Sequence, residues 1–87
     1  MRLGVFLIAA SRPGQAHGEV LARTVEAIAA AEAAGFDDAW LAEHHFMTYG
    51  VCPSATMLAG VALGRTRRIA VGTAVATLST RHPIALA

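Results

Sequence analysis

Apolar and polar positions follow two alternating periods along this chain. Leu3 to Ala10 (LGVFLIAA) is a continuous apolar run of strand length, which suits a strand buried on both faces of a parallel sheet. Ser11 to Gly18, with Pro13 and two glycines, reads as a loop. From Glu19 to Ala34 the period becomes helical. Leu21, Val25, Ile28 and Glu32 fall near one stripe, widened by Val20, Ala29 and Ala31, while Glu19, Arg23 and Glu26 lie outside it, spaced to pair along the helix. Gly35 supplies a C-terminal stop. Phe36 to Ala42 reads as a second strand on the strength of Ala39-Trp40-Leu41-Ala42, although Asp37 and Asp38 stand at its entrance. Glu43 to Pro53 is irregular. Ser54 to Leu63 is a helix of small residues with Ser54 as N-cap and Gly64 at its end. Ile69 to Ala76 is a third buried strand, and Pro83 suits the first position of a third helix.

The strands begin near residues 3, 37 and 69, at intervals of 34 and 32, the period of a β-α-β unit. Strands alternating with helices predict an α/β fold with a parallel sheet and right-handed crossovers, its strands near 3–10, 37–42 and 69–76. Ligands in such folds bind in the loops leaving the C-terminal strand ends. Here those loops are about residues 11–18, 43–53 and 77–82, and they hold all four histidines, His17, His44, His45 and His82. The middle loop takes eleven residues, against the roughly 2–6 usual for a strand-to-helix connection.

Composition narrows the classes. With 87 residues, 55% hydrophobic and 15% charged, the chain is no disordered segment. A net charge of +1 from seven Arg, no Lys and six acids builds no basic face for nucleic acid. No apolar run nears the roughly 20 residues of a membrane span. Leu3–Ala10 also lacks the length and flanks of a signal peptide, and the lone Cys52 forms no internal disulfide. The expectation is a cytoplasmic protein without nucleic-acid or membrane partners. The apolar, helix-forming end Ile84-Ala85-Leu86-Ala87 suggests the front of a longer protein.

Glu43-His44-His45-Phe46 is the stretch richest in chemistry. In extended chain, Glu43 and His45 share a side and His44 stands alone. Histidine moves protons near neutral pH and hydrogen-bonds redox-active rings. From the loop alone, the plainer reading of each His is a group that satisfies backbone at a strand end. The Glu-His-His order is not the spacing of a metal-binding helix, so no metal is expected. Nothing near Cys52 activates it, so a half-buried, inert thiol is the plainer reading. Phosphate-cradling glycine motifs and GxSxG are missing. Gly72, within the third strand, allows another group to approach the backbone closely. Ala55, Ala59, Gly60 and Ala62 would let the second helix pack close to a neighbouring helix or subunit.

AAGFDDAWLAEHHF, then YG, a Pro-Ser helix start, RRIAVGTAV and RHP, in order and at matching spacing from LGVFL to the final ALA, resemble the N-terminal third of the bacterial luciferase-like flavin monooxygenases. The resemblance implies a (β/α)8 TIM-type barrel, of which this chain is the first three β-α units. A complete barrel takes roughly 250 residues, so 1–87 would be the N-terminal segment of one truncated barrel domain. It implies reduced FMN from a separate flavin reductase, O2 and an organic substrate; a deazaflavin oxidoreductase or a non-catalytic flavin-binding or assembly subunit are the alternatives. By resemblance, His44 handles protons where the flavin reacts with oxygen, and the backbone of Glu43 lies close to the flavin. His45 lies nearer a subunit interface. Ala74-Val75 matches a strand-end site that often carries a non-proline cis peptide against the flavin ring. Phe6 and Ile8, alternating along the first strand, would line the substrate pocket. A homodimer would form through the Ser54–Leu63 region.

Overall fold

A computed structural model describes residues 1–87. The elements run β1 (Gly4–Leu7), α1 (His17–Ala33), β2 (Asp38–Leu41), α2 (Ala55–Leu63), β3 (Ala70–Thr73) and α3 (Pro83–Leu86), with one 3-10 turn at Leu78–Thr80. The strands form one parallel sheet in the order β1-β2-β3. Each strand has four residues, fewer than the apolar runs suggest. Beyond β1 the cause is visible: Ala9 adopts a left-handed φ of 54°, and Ala10 then bridges Gly50 in the antiparallel sense. No helix is long and apolar enough to cross a membrane.

Sheet alternation sorts the side chains. Ala39 and Leu41 are buried against α1 and α2, with Val5, Leu7 and Val71 packed at the edge of the same core. Ile28, Leu41 and Cys52 are its largest fully buried side chains, so Cys52 is more deeply buried than the half-buried position expected. The other face carries Phe6, Trp40 and Gly72 side by side in register. Phe6 is 57% exposed and Trp40 is 43% exposed. Burial on both faces is therefore not found within this chain, because α1 and α2 cover one face. A Cβ on Gly72 would lie 2.5 Å from Cζ3 of Trp40. The close approach expected at this glycine is made by the indole.

The helix signals are realised. α1 starts two residues earlier than the apolar pattern does and pairs Glu19 with Arg23 at 2.7 Å. It ends at Gly35, with φ 92°. There the N–H of Phe36 donates to Ala31 O and that of Gly35 to Glu32 O, both at 3.0 Å, the paired bonds of a Schellman end. Ser54 Oγ accepts from Met57 N at 3.4 Å and caps α2. The aspartates entering β2 are used at the strand's start. Asp37 accepts from Leu3 N at 2.9 Å, and Asp38 pairs with Arg2.

Glu32, on the core-facing stripe of α1, ties the opposite rim together. Its carboxylate accepts from the backbone N–H groups of Arg67, Arg68 and Ile69 at 2.6–3.2 Å. The Arg68 guanidinium returns to Glu32 O at 3.0 Å and Phe36 O at 2.9 Å. The N–H groups of Ile69, Arg68 and Arg67 hold the Glu32 carboxyl below its ordinary value of 4.5. Its stabilisation is thus full above that value and fades as pH falls. Glu32→Gln should lower the thermal midpoint by a few degrees at neutral pH, and the deficit should shrink in acid. Calorimetry at both pH values tests this; a deficit that grows in acid contradicts the assignment.

Candidate functional site

Leu7, Leu41 and Thr73 end the three strands on one rim. Ala42 N donates to Leu7 O at 3.0 Å, and Ala74 N to Leu41 O at 2.8 Å, so the sheet extends one residue into the loops. The first two loops are tied by Val51 N to Ala9 O at 3.1 Å and Ser11 N to Tyr49 O at 2.7 Å. His44 N donates to Cys52 O at 2.9 Å and folds the long middle loop back on itself. The next turn is made at Phe46, a non-glycine residue with φ 57°.

The Glu-His-His stretch splits as alternation predicts. His45 Nε2 lies 3.0 Å from Glu43 Oε1. The His44 ring is half-buried and makes no hydrogen bond to the protein, and its Nδ1 is buried without a partner. The ring rests on Gly50: a Cβ there would lie 2.5 Å from Nδ1 and 2.8 Å from Cγ. Nδ1 is thus shut in against Gly50, and Nε2 is the ring nitrogen left for a ligand to meet.

The Glu43 side chain has no exposed surface. Oε1 faces His45 and accepts from Thr77 N at 3.1 Å; Oε2 accepts from Ala55 N at 2.9 Å and from an Arg81 Nη at 2.9 Å. The same Arg81 nitrogen donates to Ser54 Oγ at 3.0 Å. Burial pushes the Glu43 carboxyl up, but His45, Ala55 N–H, Arg81 and Thr77 N–H together outweigh it and bring it to about 2. Expected only as a backbone neighbour of a ligand, Glu43 is also the junction of three segments. Arg81, Thr77 and Ser54 were not legible as its partners, since the Arg81 contact spans 38 residues. Burial pushes the Cys52 thiol up, away from the reactive thiolate.

The other expected residues are divided. Ala74 and Val75 follow β3 on the His44 rim, and the peptide bond joining them is cis; Val75 is 70% exposed. Phe6 and Ile8 line a groove of about 480 Å3 between β1 and α1, together with Arg12, Gln15 and Val20. That groove includes none of Glu43, His44, Ala74 and Val75. His82 Nδ1 accepts from Ile84 N at 3.2 Å and caps α3, with Pro83 in its first turn. His17 begins α1 and is exposed.

Two outcomes follow from this geometry. Gly50→Ala should push the His44 ring aside at an overpacking cost of about 1–3 kcal/mol. A shifted His44 imidazole NMR signal checks this, and an unmoved ring contradicts it. Glu43 titrates near 2 when folded and near 4.5 otherwise, a gap worth about 3 kcal/mol. That contribution is complete above pH 4.5 and is lost as pH falls towards 2. In denaturant titrations Glu43→Gln should therefore cost about 3 kcal/mol at neutral pH and progressively less in acid.

The family model described as luciferase-like monooxygenase matches residues 1–87. The chain is 40% identical over 84 residues to the alkanal monooxygenase alpha chain of the Kryptophanaron alfredi symbiont, covering 97% of this chain and 24% of that protein. It is 33% identical over 84 residues to the 4-hydroxyprotoasukamycin monooxygenase of Streptomyces nodosus subsp. asukaensis, covering 97% and 23%. Among solved structures, apo-MsnO8 superposes with a TM-score of 0.91 at 27% identity, over 99% of this chain and 26% of that one. The oxygenating constituent of 3,6-diketocamphane monooxygenase from Pseudomonas putida, a type II Baeyer-Villiger monooxygenase in complex with FMN, superposes with a TM-score of 0.90 at 22% identity, over 99% and 24%; this likeness concerns the fold. The chain thus spans about a quarter of the length of these relatives. With a family match along its whole length and the parallel β-α repeat that such a barrel requires, the chain belongs to the luciferase-like monooxygenase family.

Proposed function

We propose that residues 1–87 form the N-terminal segment of a single barrel domain in a flavin-dependent monooxygenase that uses reduced FMN and O2 to oxygenate an organic substrate. The observation that carries this reading is the His44 imidazole: half-buried on the C-terminal rim and free of protein hydrogen bonds. Nδ1 is closed off by Gly50, so the partner a polar ligand would take is Nε2, which has no protein hydrogen bond. Residues on this rim fit a flavin: the Glu43 backbone, His44, and the small Ala74 with Val75 beside it. Reduced FMN supplies the two electrons that let one oxygen atom enter the substrate while the other leaves as water. His44 would hold or return a proton at that rim, a role worth about 10²–10⁴-fold in rate for a positioned acid-base group. Phe6 and Ile8 contribute apolar wall on the substrate side.

A separate reductase provides the reduced flavin, and the protein works in the cytoplasm, in keeping with its single free thiol. Two copies associate through α2. Met57 and Val61, 73% and 53% exposed, border an apolar groove of about 320 Å3 with Leu21, Val25 and Pro53 between α1 and α2.

The full-length protein tests the reading. It should bind photoreduced FMN and, in air, convert alkanals to oxygenated products. His44→Ala should retain FMN binding while lowering product per flavin about 10²-fold and releasing hydrogen peroxide instead. Unchanged oxygenation removes His44 from the chemistry, and tight binding of a deazaflavin alone replaces FMN as the cofactor.

A further inference from the structure

The segment beyond β3 is held by few hydrogen bonds. After Ala74 N bonds Leu41 O, every hydrogen bond that residues 75–87 make to the rest of the chain ends on Glu43 or Ser54. The remainder are local: Thr80 Oγ1 to Thr77 O, Arg81 N to Leu78 O, Ile84 N to His82 Nδ1, Leu86 N to His82 O and Ala87 N to Pro83 O. Glu43 immediately precedes His44, and Ser54 caps α2. One buried carboxylate thus joins the loop that carries His44 to the loop that carries Ala74 and Val75. Arg81 locks the joint: one of its nitrogens reaches both Glu43 and the α2 cap, and its side chain is only 22% exposed.

We propose that Glu43 and Arg81 are positioning residues, a buried brace that sets the spacing between the His44 imidazole and the Ala74–Val75 strand end. The proposal rests on the flavin reading of this rim for its consequence in binding, and on the hydrogen-bond geometry for the brace itself. The brace acts through position alone. Glu43 presents no free lone pair to a ligand, since both oxygens are occupied; Arg81 spends one Nη on Glu43 and Ser54, and its Nε, without a partner, is buried. Without Arg81, the 75–82 loop would keep Thr77 N as its single tie to the rim.

The test compares Arg81→Met, which keeps the stem and removes the charge, with Arg81→Lys, which restores a cationic donor, in the full-length protein. In the apoprotein, Arg81→Met should speed hydrogen exchange at the Thr77 amide and shift the His44 ring NMR signal, identified by its loss in His44→Ala. A charge-assisted bond of this kind contributes enough to weaken FMN affinity roughly tenfold on removal. Arg81→Lys should recover most of that affinity, which a loss of general stability would not explain. Should Arg81→Met fail to fold, Thr77→Pro removes the other tie. Thr77 has φ −76°, which proline accepts, and the same changes in the His44 signal and FMN affinity are expected. Wild-type exchange, ring signal and FMN affinity in Arg81→Met, or in Thr77→Pro if that is the variant that folds, overturn the brace. A wild-type protein that binds no FMN, while Arg81→Met still moves the His44 signal and Thr77 exchange, overturns the flavin reading and upholds the brace.

Discussion

A carboxylate with no exposed surface persists as an anion only where donors surround it, and the C-terminal rim of this chain is arranged around that demand at Glu43. Its two oxygens are met by an imidazole, a guanidinium and two backbone N–H groups. Those donors come from its own loop, from the first turn of α2 and from the loop after β3. Satisfying one charge therefore fixes three segments that the sheet alone leaves free, and these include the two loops that carry His44 and Ala74-Val75.

Glu32 does related work on the opposite rim with different consequences. It gathers three consecutive N–H groups from the turn between α2 and β3, and so seats α1 against the start of that strand. Its partners are backbone and its setting is half-exposed, so its role is confined to stability. In barrel folds the C-terminal rim carries chemistry and the N-terminal rim carries support, and these two glutamates divide in that way. Between the rims, the sheet packs its helices on one face. The other face bears Phe6, Trp40 and Gly72 in one register row, with the indole leaning over the glycine. In a (β/α)8 barrel, where helices form the outer ring, that face is the interior.

Most of the fold was legible because its signals are local. The strand spacing, Gly35 at the end of α1, Ser54 at the start of α2 and Pro83 in the first turn of α3 each act within a few residues. Strand length was less legible: the run to Ala10 is apolar throughout, and nothing in it announces the left-handed turn at Ala9, which is met by Val51 N and Gly50 some forty residues later. The brace was illegible for the same reason. Arg81 and Thr77 read as ordinary loop residues until the fold brings them to Glu43, which lies 38 and 34 positions away. Gly50 likewise read as part of an irregular loop, and its need for a bare Cα emerges only when the His44 ring is laid across it.

The division of labour between the adjacent histidines follows from the same alternation that makes a strand. Glu43 and His45, two residues apart, project to one side, and the carboxylate meets the His45 Nε2. His45 is thereby committed to structure, and any ligand seeking it would compete with a fully buried anion. His44 projects the other way, where the nearest group is the backbone of Gly50, which has no side chain to offer. Its imidazole is held in place by packing and by the His44 N–H to Cys52 O bond, while its ring nitrogens remain uncommitted. An imidazole that is fixed in position yet free in hydrogen bonding is what a proton-transfer role requires. Here it arises because the ring lies across Gly50, on the side of the loop away from the Glu43 carboxylate and its donors.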